Sequence, residues 1–196
     1  MAVAQGQLEE AARDYTEGLT VAKTLAASDP SNTEWQRDLS VSFNKLGDVA
    51  VAQGQLEEAA RDYTEGLTVA KALAASDPSN TEWQRDLSVS YDRLGNVAVA
   101  QGQLEEAARD YTEGLTVAKT LAASDPSNTE WQRDLFVSYW KMAGLAERQK
   151  GTSEAYVYWR QAFNVLSDID KRGLHLSPED RNFLEILREK LGADPG

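Results

Sequence analysis

Residues 3–23 read VAQGQLEEAARDYTEGLTVAK, and the same stretch returns at 51–71 and at 99–119, a period of 48 residues. Self-similarity at a fixed spacing of this size marks a repeat architecture, in which each unit packs only on its neighbours. Such chains work as surfaces more often than as reaction vessels. The repeat therefore points to binding before any single residue is weighed.

Each repeat reads as two helices. In the second copy Leu56, Ala59, Tyr63, Leu67, Ala70 and Ala74 recur at steps of three and four, one apolar stripe of an α-helix. Glu57, Glu58, Arg61, Asp62, Glu65 and Lys71 fill the positions between and form the solvated face. The next helix carries Trp83, Leu87, Tyr91, Leu94 and Ala98 at the same spacing. Ser76-Asp77-Pro78-Ser79-Asn80 separates the two, because proline cannot continue the first helix and restricts the residue before it. Ser79 with Glu82 has capping-box spacing, and Asn80 is an equally good N-cap. The other break is Gln53-Gly54-Gln55, where glycine can adopt the left-handed conformation that ends a helix.

The ends depart from the repeat. Met1–Gln5 matches the last turn of 97–101, so a turn at Gly6 and a helix Gln7–Ser28 without its natural partner are expected. Either the chain is a fragment of a longer array or another molecule covers this face. Near the other end Glu154, Ala155 and Trp159 still echo the repeat, with a glycine turn expected at Gly151. Lys171–Leu176 reads as a loop. Ser177-Pro178-Glu179-Asp180 opens a last helix, with serine as N-cap and proline at the first helical position. Its stripe of Phe183, Leu184, Ile186, Leu187 and Leu191 suits a capping helix, and 192–196 reads as a frayed tail.

Composition narrows the function classes. Hydrophobic residues make up 41% of the chain, enough for a core, and cysteine is absent, so no disulfide, thiolate nucleophile or cysteine zinc site is available. That suits a reducing compartment, and a cytoplasmic location is expected. MAVAQGQLEE lacks a basic n-region and a long apolar run, so no signal peptide is expected, and no stretch has the roughly 20 apolar residues of a membrane span. The net charge is −12, and an acidic surface of this kind repels phosphate backbones and anionic membranes. No nucleic-acid or membrane partner is expected, whereas a basic or largely apolar peptide is accommodated more easily.

Candidate chemistry is thin. His175, the single histidine, falls in a loop without partners at catalytic or metal spacing. Glu9-Glu10, Glu57-Glu58 and Glu105-Glu106 open helices with acids, which favours the positive end of the helix dipole, and adjacent helix residues point in different directions. Gly-Gln-Leu-Glu-Glu is a turn followed by a helix start and not a phosphate-cradling loop. No cofactor, metal or catalytic residue is expected, and the chain does not read as an enzyme.

Tyr91, Leu94-Gly95, Gly102, Leu104, Ala107, Tyr111 and Leu115, with the same set one period earlier (Phe43, Leu46-Gly47, Gly54, Leu56, Ala59, Tyr63, Leu67), resemble the tetratricopeptide repeat. The pattern is an aromatic residue, Leu-Gly, a turn glycine, then alanine and an aromatic on the second helix, and it covers nearly the whole chain. Two features depart from it. The usual small residue late in the second helix is Gly18, Gly66 and Gly114 here, and the period is 48 where the standard unit has about 34. The excess divides into about seven residues per helix, two turns or roughly 10 Å. The added turns carry Ala70, Leu73 and Ala74 on one helix and Trp83 and Leu87 on the other, read as extra core, with Trp35, Trp83 and Trp131 as packing residues.

The resemblance implies an all-α solenoid of stacked antiparallel hairpins, a tetratricopeptide-type superhelix closed by a C-terminal capping helix. Helices are expected at about 7–28, 32–53, 55–76, 80–101, 103–124, 128–149 and 152–171, with the cap at 178–191, in a single domain spanning 1–196. It also implies a concave groove lined by the first helix of each repeat. The groove-facing positions fall on Val41, Asn44, Lys45, Asp48, Val51 and Ala52, then Val89, Asp92, Arg93, Asn96, Val99 and Ala100, then Val137, Trp140, Lys141, Gly144, Glu147 and Arg148.

Comparison of the copies meets that surface. Between residues 3–50 and 51–98 only five positions differ: Thr24/Ala72, Phe43/Tyr91, Asn44/Asp92, Lys45/Arg93 and Asp48/Asn96. The third copy differs mainly in the same stretch, from Trp140 to Leu145, and at Phe136. Constant scaffold with a varying groove is what a recognition surface looks like, although exposed positions of recent duplicates also drift freely. Asn44, Lys45, Asp48, Asp92, Arg93, Asn96, Trp140 and Lys141 are the candidate peptide-binding residues. For Trp140 a second role is open, fitting the core to the last unit together with Phe136, Tyr139 and Met142. Some tetratricopeptide domains clamp a chaperone's terminal carboxylates, but Asp48 and Asp92 at those positions repel a carboxylate, so that ligand is not expected. The expected function is a non-catalytic protein-interaction scaffold. Self-assembly through the uncovered Gln7–Ser28 face, giving a homo-oligomer, is the alternative, and a designed repeat without natural ligand is a third class.

Overall fold

In a computed structural model, which describes residues 2–192, the chain is all-α: α1 (Ala2–Ser28), α2 (Thr33–Ala52), α3 (Leu56–Ser76), α4 (Thr81–Ala100), α5 (Leu104–Ser124), α6 (Thr129–Arg148), α7 (Thr152–Lys171) and α8 (Pro178–Leu191). It divides into two compact units, residues 1–103 and 104–196. In the first unit consecutive helices pack in the order α1–α2–α3–α4, and in the second α5–α6–α7–α8.

The loop chemistry repeats as closely as the sequence. Asn32, Asn80 and Asn128 are the N-caps of α2, α4 and α6, and their side chains accept from the backbone N–H of Trp35, Trp83 and Trp131. Of the two caps open for α4, asparagine takes the role. Ser79 instead gives its hydroxyl and backbone N–H to Asp77 Oδ1, at 2.6 and 3.0 Å, as Ser31 and Ser127 do to Asp29 and Asp125. Those bonds hold the three exposed carboxyls below their ordinary range. Gln36, Gln84 and Gln132 each donate to a carbonyl in the last turn of the preceding helix (Ala26, Ala74, Ala122), satisfying an acceptor that the helix end leaves orphaned.

The turns show two corrections. Gly54 and Gly102 adopt φ of 75° and 76°, as a left-handed helix end requires. Gly6 does not, because α1 runs without interruption from Ala2 to Ser28. Continuing the helix satisfies the local backbone groups directly. Met1 lies outside the described residues. After α6 the left-handed residue is Lys150, φ 61°, and the expected turn glycine, Gly151, is the N-cap of α7 at φ −84°. Gly192 closes α8 in the left-handed region; the rest of the tail lies outside the described residues.

The core of the first unit gathers Ala50 from α2, Ala59 and Tyr63 from α3 and Val97 from α4, with Leu56, Ala60 and Leu94 packed against them. Gly47 makes this possible: a Cβ there would collide with the Tyr63 ring. The Leu-Gly pair of the repeat is thus a flat seat for the next helix's tyrosine. Ala70, Leu73 and Ala74 of the added turns are buried. Trp83 and Leu87 are only half-buried, as are Trp35 and Trp131, so the tryptophan end of the extension is a packed rim and not a sealed core.

In the second unit Phe136, Ala143, Ala162, Leu166, Leu184 and Leu187 are buried. Ser177 caps α8 by accepting from the Asp180 N–H and returns its hydroxyl to Asp180 Oδ2 at 2.7 Å. Of the expected α8 stripe, Leu184 and Leu187 are sealed, Phe183 and Leu191 are half-buried, and Ile186 is 40% exposed.

Candidate functional site

On α2 the residues Val41, Lys45 and Asp48 fall at i, i+4 and i+7 and form one exposed stripe. Val89 and Arg93 hold the matching positions on α4, half-buried. Between them lies a concavity of about 220 Å³ lined by Ser40, Val41, Asn44, Lys45, Asp48, Asp86, Val89 and Arg93. Four candidate residues, Asn44, Lys45, Asp48 and Arg93, therefore meet around one hollow.

Their chemistry is more constrained than their charges suggest. Arg93 meets Asp48 in a two-point contact, Nε–Oδ1 and Nη2–Oδ2 both at 3.1 Å. The Tyr63 hydroxyl donates to the same Asp48 Oδ1 at 2.7 Å. Burial, and then that bond, push the Tyr63 phenol well above its ordinary pKa. Asp86 at the other end is held by Arg37 Nε at 2.6 Å, and Arg37 Nη1 reaches Glu82 at 2.7 Å. The Lys45 ammonium sits 5.5 Å from the Tyr15 ring centroid. The hollow is thus an electrically balanced cleft with valines on its walls.

Asn44 departs from expectation. It is only 8% exposed, and its Nδ2 approaches Ser90 Oγ at 3.5 Å. Its buried Oδ1 has no hydrogen-bond partner and points at Gly66, where a Cβ would lie 3.1 Å away. Asn44 is a residue of the helix seam as much as of the groove. Asp92 is half-buried at the equivalent place on α4, and Asn96 is exposed.

The candidates in the second unit are tied up in packing. Trp140 stacks edge-on against Trp159, with centroids 4.6 Å apart, and lies 4.8 Å from Phe183 and 5.8 Å from Phe136. It joins α6 to α7 and the cap α8. Lys141 lies 5.8 Å over the Tyr111 ring, the same seat that Lys45 takes on Tyr15. Here Trp159 stands where α3 has Tyr63, its Nε1–H donates to Glu147 at 3.0 Å, and Lys190 of the cap bonds Glu147 at 2.7 Å.

Sequence reasoning missed one feature that the repeat itself signals. The constant Trp-Gln-Arg-Asp run supplies a charge ladder: Arg37 to Asp86 in the first unit, and Arg133 to Asp180 of the cap at 3.1 Å in the second. A strictly kept arginine and aspartate in every copy was the available clue. His175 is exposed in the loop before α8. Among the described residues no cluster of histidine, aspartate and glutamate could hold a metal, and no helix is long and apolar enough to cross a membrane.

A family model and solved structures are similar to this chain. The family model described as Tetratricopeptide repeat matches residues 3–60 and 51–108, more than half of the chain. Comparison with curated proteins finds no relative. Among solved structures, BtubC (BKLC) from P. vanneervenii is similar over 93% of this chain and 66% of its own, with 18% identity and a TM-score of 0.66. This chain thus spans just under two thirds of that protein's length, and the likeness shows the helical-repeat fold alone. A de novo designed helical repeat protein, DHR64, aligns over 96% of this chain and 94% of its own at 15% identity, with a TM-score of 0.40. MamA aligns over 91% and 100% at 16% identity, with a TM-score of 0.29.

Proposed function

The chain belongs to the tetratricopeptide repeat family, whose members generally mediate protein–protein interaction, and from that premise we propose that it is a non-catalytic scaffold whose α2–α4 cleft holds a segment of a protein partner. One observation carries the reading. Of the five differences between residues 3–50 and 51–98, Asn44/Asp92, Lys45/Arg93 and Asp48/Asn96 fall on the helices that frame the cleft. Beneath them the buried core changes only at Phe43/Tyr91, one aromatic ring for another.

The wall chemistry narrows the ligand. Asp48, Arg93, Asp86 and Arg37 already satisfy one another, so displacing them costs their paired hydrogen bonds. Val41 and Val89 supply apolar contact, and Lys45 is the cation at the rim that a ligand can recruit by giving up only a ring contact. Because Arg93 and Arg37 neutralise Asp48 and Asp86, the repulsion expected from those carboxylates is offset, and a short extended segment with an aliphatic side chain beside an acidic one fits this arrangement. The acidic surface elsewhere disfavours nucleic acid and anionic membranes, and no cofactor is called for.

The test is a selection of displayed random short peptides on the wild-type chain, followed by affinity measurement on a Val41→Asp/Lys45→Glu variant. Both positions are exposed, so the fold stands. The selected peptides are expected to bind the variant at least about tenfold more weakly. Peptides that bind both forms equally would place recognition elsewhere.

A further inference from the structure

The cleft between α2 and α4 takes part of its charge balance from a residue that does not line it. Asp48 and Arg93 stand on its wall, whereas Tyr63 lies on α3, which packs against both helices, and is 3% exposed. The Asp48 side chain is 48% exposed and that of Arg93 31%. An ion pair so open to water is weak, because two mobile side chains must be held in one geometry. Tyr63 supplies the missing constraint. Its ring is seated on Gly47, where a Cβ would collide with it, so the hydroxyl stands at one place. From there it donates to Asp48 Oδ1 at 2.7 Å. Arg93 Nε donates to the same oxygen at 3.1 Å, and its Nη2 donates to Oδ2. The buried hydroxyl thus selects one rotamer of Asp48, and that rotamer presents both oxygens to the guanidinium. Burial first, and then the bond to Asp48, raise the phenol above its ordinary range, so it stays a donor through neutral and mildly alkaline pH.

The second unit builds the same arrangement from other residues. Trp159 of α7, also buried, donates its Nε1–H to Glu147 Oε1 at 3.0 Å, and Lys190 of α8 reaches the same oxygen at 2.7 Å. The acid has moved as well: the position of Asp48 is Gly144 in this copy, and Glu147 lies three residues further on. Phenol has become indole, aspartate glutamate, and arginine lysine. What persists is a fixed aromatic donor on the middle helix, a carboxylate on the helix before it and a cation on the helix after it. Duplication alone does not produce this, since none of the three residues is a copy. The arrangement itself is what both units require.

We propose that Tyr63 is a positioning residue of the α2–α4 cleft: its hydroxyl fixes Asp48 against Arg93 and so keeps that carboxylate neutralised toward an acidic side chain of the bound segment. The inference rests on the cleft being the recognition site. Tyr63 does not line the hollow and acts through Asp48. Without the hydroxyl, Asp48 is released to other rotamers. Its charge is then no longer cancelled by Arg93, and it repels a ligand carboxylate that approaches Lys45. The cleft's tolerance of an acidic ligand is thus set from the core.

Two measurements on the full chain test it, with helical circular dichroism to check that each variant is folded. The first needs no ligand: NMR follows the exchange of the Arg93 Nε proton with water. Exchange is expected to be at least about threefold faster in Tyr63→Phe than in wild type, and faster again in Asp48→Asn, which removes the charged acceptor. The second uses the displayed peptides selected on the wild-type chain, each compared with a form carrying the amide in place of its acid. Tyr63→Phe is expected to weaken the acidic peptide at least about threefold and to leave the amide peptide unchanged. Asp48→Asn in the Tyr63→Phe background is expected to restore the acidic one. Arg93 exchange unmoved by Tyr63→Phe would overturn the proposal, and so would equal weakening of both peptides, the mark of a merely structural loss. Peptides indifferent to Val41→Asp/Lys45→Glu would instead overturn the cleft as the recognition site. Arg93 exchange quickened by Tyr63→Phe would then still assign Tyr63 to the pair, so the two failures are told apart.

Discussion

Helices α1 and α3 carry one sequence in two surroundings. On α3 the tyrosine–glycine–leucine stripe is core; on α1 the same stripe meets solvent. Nothing local distinguishes them: the periodicity and spacing of the apolar residues agree. The difference is a neighbour, since α3 lies between α2 and α4 whereas α1 packs on α2. In a repeat protein the same residue is therefore structural or available for recognition according to what stands beside it. A role read from one copy does not transfer to the next.

The comparison can be broken by paired substitutions. The largest effect belongs to the leucines. Leu73→Ala is expected to cost about 2–5 kcal/mol through lost burial and a cavity, whereas Leu25→Ala should stay within roughly 1 kcal/mol because a third of that side chain is already wet. Denaturant midpoints of the two variants check this, and equal losses would mean that α1 is covered in solution. The tyrosines give the smaller contrast. Tyr63→Phe removes the hydroxyl bonded to Asp48, worth about 1 kcal/mol, and Tyr15→Phe should change stability by a few tenths.

The tyrosine pair also carries a pH signature. The Tyr63 phenol is raised in the folded chain, so the native state keeps its proton where the unfolded state has lost it. Its contribution is complete below the ordinary phenol value of about 10 and declines as pH rises above it. Tyr63→Phe is therefore expected to flatten the alkaline loss of stability, seen as a smaller fall in melting temperature from neutral to strongly alkaline buffer. An unchanged alkaline slope would remove Tyr63 from that linkage.

Much of the fold was legible because the governing physics is local. Pro78 and Asn80 end one helix and start the next, and Ser177-Pro178 opens the cap. Periodicity located the stripes that became core at Ala70, Leu73 and Ala74. What escaped depends on partners. Asn44 reads as a groove residue from its spacing, yet it sits at the edge of the stripe and turns into the seam against Gly66. Trp140 falls on a groove position, but Trp159 and Phe183 draw it into an aromatic cluster, and no repeat pattern specifies the cap that supplies Phe183. The turn after α6 shifts its left-handed residue to Lys150, one place before the glycine that composition favours.

The central claim is that one face, written identically on α1 and α3, is sealed in one place and open in the other. Thermal melts of Gly18→Leu and Gly66→Leu test it most directly. Gly18→Leu should leave the melting temperature unchanged or raise it slightly, since leucine favours the helix by up to about 1 kcal/mol over glycine. Gly66→Leu should lower it clearly, by the roughly 1–3 kcal/mol or more that overpacking against Ser40, Phe43 and Asn44 costs. Equal behaviour of the two variants, in either direction, would contradict the account.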